Sequence, residues 1–260
     1  MAEYIRRYNP NRSADWNYGG KNWKLSRSKI DLFLECPLCF YVDNKLGTKR
    51  PSIPSFNLNI AVDNLFKKEY DIYREQKAAS PLMQENGLNA VPFQHKDLEI
   101  WRDPFVGITH HHVETGLLVS GGVDDIWQNS DGELIVVDYK ATSKDTEIKT
   151  LDDSSWAEQY TRQISVYQWL LRQNGFPVST TGYFVYANAL KTPNTFDNTL
   201  TFQTTLVPIV GKTDWIEPTL SAIKKVLDSD IYPDSGDQCE YCPYRHAVGS
   251  KLYAIKKAAK

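Results

Sequence analysis

The apolar pattern of this chain predicts an α/β protein with a mixed sheet, and three features carry that prediction. Residues 116–140 read as two strands joined by a tight turn, residues 154–174 read as a long amphipathic helix, and two more strands and a helix follow near 181–190, 199–209 and 214–227. That order of helices and strands belongs to a mixed sheet flanked by helices. With 260 residues, 41% of them hydrophobic and 12% aromatic, the chain has ample material for a packed core.

Taken in order, residues 26–35 predict a short helix with Ser26 as N-cap, Ile30, Phe33 and Leu34 on one face, and Pro37 helping to end it. Residues 56–77 carry Leu58, Val62, Leu65, Phe66, Glu69 and Tyr73 near helical spacing, which predicts a long helix with one apolar stripe and Asp63 beside it. From Gly116 the texture changes to the strand GLLVSGGVDDIWQ, the turn NSDG and the strand ELIVVDYK. The second strand is apolar from Leu134 to Val137, as in a central strand covered on both faces. The helix at 154–174 has Asp153 or Ser154 as its cap and Gly175 as its stop. In the last predicted helix, Asp214 and Glu217 have the spacing of a capping box.

No internal repeat, low-complexity tract or linker stands out, so residues 1–260 read as one domain. Its core is expected at 56–190, with cysteine-bearing segments at 26–50 and 230–250. The net charge of -2 gives no global positive field, so any nucleic-acid binding must use local patches such as residues 21–29, 140–149 and 251–260. Each of these also reads as ordinary solvated surface. Residues 1–12 lack the apolar core of a signal sequence, and no stretch approaches the ~20 apolar residues of a membrane span. The expectation is a soluble, cytoplasmic protein without a membrane partner.

The sharpest local feature is Asp138-Tyr139-Lys140 at the end of the apolar strand. Side chains alternate along a strand, so Asp138 and Lys140 emerge on one face, about 7 Å apart along the backbone. Asp124, in the preceding strand of the hairpin, would pair close to Asp138. Two carboxylates brought together repel until a cation intervenes, and hard oxygen ligands suit Mg²⁺ or Mn²⁺. A surface hairpin with a weak Asp138–Lys140 ion pair fits the same spacing.

These residues resemble a known family. SGGVDDI (120–126) and IVVDYKAT (135–142) look like the second and third motifs of RecB-like nuclease domains in the PD-(D/E)XK superfamily, whose core is restriction-endonuclease-like. The resemblance implies that Asp124 and Asp138 are metal ligands, that the backbone carbonyl of Tyr139 adds another oxygen, and that Lys140 is the catalytic lysine. Gln163 and Tyr167 match the Gln-x-x-x-Tyr helix motif of the same group, four residues apart and so on one helical face. The chain departs from the pattern at the first motif, where many members place a histidine ligand and LNIAVDNLF holds Asp63. His110, His111, His112 and Glu114 lie near the hairpin and are kept out of the assignment.

The four cysteines form two Cys-x-x-Cys pairs, Cys36 with Cys39 and Cys239 with Cys242, at opposite ends of the chain. Four thiolates hold either tetrahedral Zn²⁺ or an iron–sulfur cluster, and the spacing fits both. CEYCPYR resembles the C-terminal motif of RecB-like nucleases that carry a [4Fe-4S] cluster, which tilts the expectation toward iron–sulfur, with zinc as the alternative. Those relatives usually have one early and three late cysteines. Here Val248 stands near the position of the last, and the additional early cysteine compensates. Either centre would clip the N-terminal segment to the C-terminal one.

The resemblance implies a divalent-metal-dependent DNA nuclease, an exonuclease in repair, recombination or defence. The competing reading is a non-catalytic nucleic-acid or protein-binding module that keeps the fold and the cysteine clip. Trp16, Tyr18 and Trp23, interleaved with Lys21 and Lys24, have the composition of a base-stacking arm, but packing is the expected role.

Overall fold

The computed structural model describes residues 12–51, 56–151 and 155–259. The expected caps Asp153 and Ser154 lie outside the described residues. The chain gathers into two compact units, one made of Met1–Pro54, His112–Leu118 and Glu217–Lys260, the other of Ser55–His111 and Val119–Ile216.

The first unit opens with a helical turn at Ala14–Trp16, a two-residue strand β1 (Leu25–Ser26), and helices α1 (Arg27–Glu35) and α2 (Pro37–Asn44). Ser26 stands at the N-cap of α1, but its hydroxyl faces Ser28 Oγ at 3.0 Å and makes no capping bond. Pro37 also begins α2, where its missing N–H needs no partner. The two helices meet through Phe33 and Phe40, edge to face at 5.3 Å. Trp23 packs edge-on against Tyr18 at 5.1 Å and donates its indole N–H to Asn44 at 3.0 Å, so these aromatics are used in packing.

The second unit begins with α3 (Asn57–Gln76), α4 (Pro81–Glu85), β2 (Ala90–Pro92) and α5 (Leu98–Arg102). Strands β3 (Ile108–His112) and β4 (Leu117–Gly121), whose residues 112 and 117–118 count with the first unit, β5 (Asp125–Asn129) and β6 (Leu134–Thr142) follow, then α6 (Ser155–Gln173), β7 (Thr181–Ala189) and β8 (Phe202–Val210). A five-stranded sheet runs in the order β2-β5-β6-β7-β8. Only the β6–β7 pair is parallel, because α6 carries the chain from the end of β6 back to the start of β7, whereas the other neighbours are antiparallel. This is the mixed sheet that the sequence predicts.

The long strand expected before the turn is broken into β4 and β5. Gly122, Val123 and Asp124 lie between them, and a Cβ at Gly121, the last residue of β4, would lie 2.7 Å from the ring of Tyr167. The turn itself forms as expected, with Asn129 Oδ1 accepting the N–H groups of Asp131 at 3.1 Å and Glu133 at 2.9 Å.

The two faces of β6 have different occupants. Ile135, Val137 and Tyr139 join Tyr70 of α3, Trp127 and Val185 in the apolar core, where each large buried side chain contributes ~1.5–3 kcal/mol. Asp138 and Lys140 point the other way, toward α6. The buried stripe of α3 is not the one expected. Leu58 and Leu65 are 58% and 63% exposed, while Tyr70 and Arg74 are buried and Val62, Asp63, Phe66, Lys67 and Tyr73 are partly covered. An apolar residue need not be inside, and here the covered side of the helix turns from aromatic to charged as it nears the end of β6.

The first unit closes with α7 (Ile216–Asp228) and α8 (Tyr241–Ala258). At the start of α7 the Glu217 carboxylate is bonded to His112 Nε2. Lys224 and Asp228 of α7 both bond the Tyr18 hydroxyl, each at 2.7 Å. Among the described residues, Cys242 is the sole buried member of α8. Among the described residues, no helix is long and apolar enough to cross a membrane.

Candidate active site and cysteine centre

The register of β5 against β6 begins with Asp125 beside Val137, and Asp124, the residue just before β5, stands next to the end of β6 that carries Asp138. Asp124 is fixed there by the backbone, its Oδ2 accepting the Tyr139 N–H at 3.0 Å. Alternation sends the adjacent Asp125 to the opposite face, where it is fully buried. Asp125 pairs with Arg74 and Arg102 and accepts from the Tyr139 hydroxyl at 2.8 Å and the Trp127 indole at 3.3 Å. Two neighbouring aspartates thus have separate tasks, one at the site and one in the core that holds the hairpin.

On the α6 side, Lys140 is ion-paired with Asp138, and Gln163 bridges the two. The Gln163 amide donates to Asp138 Oδ1 at 2.6 Å, while its carbonyl oxygen accepts from Lys140 at 3.3 Å. Tyr167, one turn further along α6, lies 3.3 Å from the same amide and so stands behind Gln163. The Lys140 ammonium also sits over the rings of Tyr160 at 4.8 Å and Phe184 at 5.2 Å. Gly121 of β4 lets the Tyr167 ring lie against the backbone of that strand.

On the α3 side, Asp63 faces Lys67 one helical turn on, at 2.8 Å, and Lys67 reaches across to Asp124 at 3.4 Å. Asn59 ties the start of the helix to the end of β6 by donating to the Ala141 carbonyl at 2.8 Å. Asp63, Asp124, Asp138, Tyr139, Lys140, Gln163 and Tyr167 are thus linked through Lys67, the Tyr139 backbone and the Gln163 amide. Lys67 was not anticipated, although its position four residues after Asp63 on the same face is a readable signal. Tyr160, Arg74, Arg102 and the role of Asp125 were missed too, since their partners are remote in sequence.

The electrostatics follow from this packing. Burial, and then the negative charge of Asp124, raise the Asp63 pKa above the usual carboxylate range against the pull of Lys67. Burial opposes the charge on Lys67 and Lys140, but Asp124 and Asp63 around the first, and Asp138 and Asp124 around the second, raise both pKa values. Both lysines therefore stay cationic at neutral pH. Three carboxylates against two ammonium groups leave an excess of acid, and this all-oxygen donor set suits a hard divalent cation.

In the first unit the four cysteines converge. Cys36 ends α1 and caps α2, Cys39 lies in the first turn of α2, and Cys239 and Cys242 stand at the start of α8. All four sulfurs lie within 4.8 Å of one another, with Cys36–Cys242 and Cys39–Cys239 at 3.7 Å and Cys39–Cys242 at 3.5 Å. The backbone N–H groups of Gly236 and Cys39 donate to Cys36 Sγ at 3.3 and 3.4 Å. Burial pushes the Cys36 thiol up, but these bonds and the neighbouring sulfurs outweigh it and bring it to about 7. Arg50 donates to Cys239 Sγ at 3.2 Å and to Glu35 at 2.6 Å, with its guanidinium 4.5 Å over the Tyr241 ring. Elsewhere in this unit, buried His112 faces Glu114 at 3.0 Å and Glu217, with its other ring nitrogen 2.8 Å from the Thr115 hydroxyl.

Comparison with known proteins bears on the second unit most directly. The model of the PD-(D/E)XK nuclease superfamily matches residues 61–247, which takes in every member of the carboxylate–lysine network. No curated protein matches the chain. Among solved structures, a candidate exonuclease from Eubacterium rectale is 16% identical, with 92% of this chain and 93% of that one covered and a TM-score of 0.45. The protein SSO0001 is 14% identical, with 80% and 86% covered and a TM-score of 0.27. At these scores the two likenesses support no further claim.

Proposed function

The chain belongs to the PD-(D/E)XK nuclease superfamily, and from that premise we propose that it hydrolyses phosphodiester bonds in DNA with a bound Mg²⁺ or Mn²⁺, as an exonuclease of repair, recombination or defence. The observation that carries this reading is the placement of Asp138 and Lys140 on one face of β6, joined to each other and to Gln163, with Asp124 bonded to the Tyr139 N–H between them in the chain. In this reading Asp63, Asp124, Asp138 and the Tyr139 carbonyl hold the metal. When bound, a divalent ion there polarises the scissile phosphate and lowers the pKa of a coordinated water.

The protein's own groups do the rest. Lys140 is held at the acid cluster by Asp138 and Gln163 in a desolvated setting, so its ammonium can orient the attacking water or stabilise charge that develops on the phosphate. Gln163 fixes the distance between acid and lysine, and Tyr167 keeps the Gln163 amide from rotating away. The Tyr139 hydroxyl is anchored to Asp125 on the core side and its N–H to Asp124, so the backbone that would present its carbonyl is held at both points.

The test is cleavage of end-labelled single- and double-stranded DNA with Mn²⁺ or Mg²⁺ by the whole chain, beside Asp138→Ala and Lys140→Ala. Both substitutions are expected to lower the rate by at least ~10²–10³-fold, the cost of removing one charge-stabilising group from a preorganised site. DNA binding without cleavage by the unsubstituted protein would instead support a non-catalytic binding module.

A further inference from the structure

We infer that the four cysteines hold a single tetrahedral Zn²⁺ rather than the [4Fe-4S] cluster that the family resemblance implies. The distances between the sulfurs decide this. A Zn²⁺ with four thiolates ~2.3 Å away at the corners of a tetrahedron spaces those sulfurs ~3.8 Å apart. The observed separations are 3.5 and 3.7 Å for three of the pairs, with every pair inside 4.8 Å. In a four-iron cubane each thiolate stands ~2.3 Å outside an iron at a cube corner, which drives the four cysteine sulfurs ~6 Å apart. A two-iron cluster fails by the same reasoning, because its thiolate pairs lie on opposite sides of the iron rhomb, beyond ~5 Å. The pocket therefore has the dimensions of one ion and not of a cluster.

Two of the four sulfurs also have donors suited to thiolates. Four thiolates around one Zn²⁺ carry a net double negative charge, each ligand having given up its proton to solvent on binding. Two backbone N–H groups aimed at Cys36 and the Arg50 guanidinium on Cys239 supply donors and positive charge to such a centre. The close seat of Gly236 makes the first of these possible, since a Cβ there would fall 2.0 Å from the Glu35 carbonyl oxygen. Between single ions of similar geometry, the same ligands bind Zn²⁺ more tightly than Fe²⁺. No coordination position is left open for chemistry, so the ion's work is to join the α1–α2 corner to α8, the helix whose sole buried described side chain is Cys242.

The experiment measures metals and acid-labile sulfide in the whole chain, purified without oxygen from cells supplied with both iron and zinc. One zinc per chain, no labile sulfide and no broad visible absorption is the expected result. Protein stripped of metal and then offered Fe²⁺, sulfide and Zn²⁺ together should take up one zinc and lose all four titratable thiols. A brown protein with about four irons and four sulfides, a chain carrying one iron and no zinc, or a metal-free chain with four reactive thiols would each overturn the assignment. Because these arms use the unsubstituted chain, they do not depend on whether a cysteine variant folds, and a failure here leaves the nuclease reading untouched.

Discussion

The cysteine centre and the carboxylate site solve opposite problems of holding ligands close together. At the cysteine centre, soft and weakly repelling thiols are drawn inside 4.8 Å of one another by helix caps, backbone N–H groups and Arg50. At the carboxylate site, each acid is matched with an ammonium group: Asp63 and Asp124 share Lys67, and Asp138 has Lys140. Carboxylates at close range repel strongly in a desolvated setting, so the fold supplies cations of its own. On the readings proposed above, the first arrangement would enclose an ion for the life of the protein, whereas the second would take an exchangeable ion together with a phosphate.

The largest effect that could break this comparison comes from a chelator. A brief exposure to EDTA at neutral pH is expected to stop DNA cleavage completely while the zinc content of the protein stays at one per chain, and added Mn²⁺ should restore the activity. Loss of zinc on the same timescale as loss of activity would mean that the cysteine centre is as exchangeable as the other. A smaller change is expected from Gln163→Ala, which leaves the acids and Lys140 in place but frees them from each other. Its cleavage rate should fall ~10–100-fold, as for other groups that orient ligands and catalytic side chains, with the KM for DNA little changed. A rise in KM alone would assign Gln163 to substrate binding.

The smallest effect sharpens the role of Lys67. If its ammonium competes with the divalent ion for Asp63 and Asp124, Lys67→Met should lower the Mn²⁺ concentration needed for half-maximal cleavage by about fivefold. That corresponds to the ~1 kcal/mol expected of a partly exposed ion pair. A higher metal requirement would show instead that Lys67 supports the site, for instance by holding the two acids in register.

Much of this was legible in the sequence because it depends on local periodicity. The hairpin announces itself through its turn residues, and strand alternation alone puts Asp138 and Lys140 on one face. Four-residue spacing likewise puts Gln163 and Tyr167 on one side of α6. The hairpin then brings Asp124, just before β5, to the end of β6, where it accepts the Tyr139 N–H. What could not be read was set by packing between distant segments. Leu58 and Leu65 follow a helical period as well as Tyr70 does, and only the sheet decides which stripe of α3 is covered. Asp125 looks like a second candidate ligand until Arg74 and Arg102, 51 and 23 residues away, are seen to claim it. The separation of the sulfurs, which decides between one ion and a cluster, has no counterpart in the Cys-x-x-Cys spacing at all.

The cage around Asp125 bears on how inactive variants of this chain should be interpreted. A neutral residue at position 125 takes from two buried arginines their one fully buried counter-charge and leaves them the more exposed Asp71, and breaking a buried pair of this kind typically destabilises by ~3–5 kcal/mol. Such a variant would lose activity as completely as one altered at Asp124, its neighbour in the chain, yet it would do so by depleting folded molecules. A screen scored by cleavage alone would merge the two positions, whereas the amount of soluble protein in each culture would tell them apart.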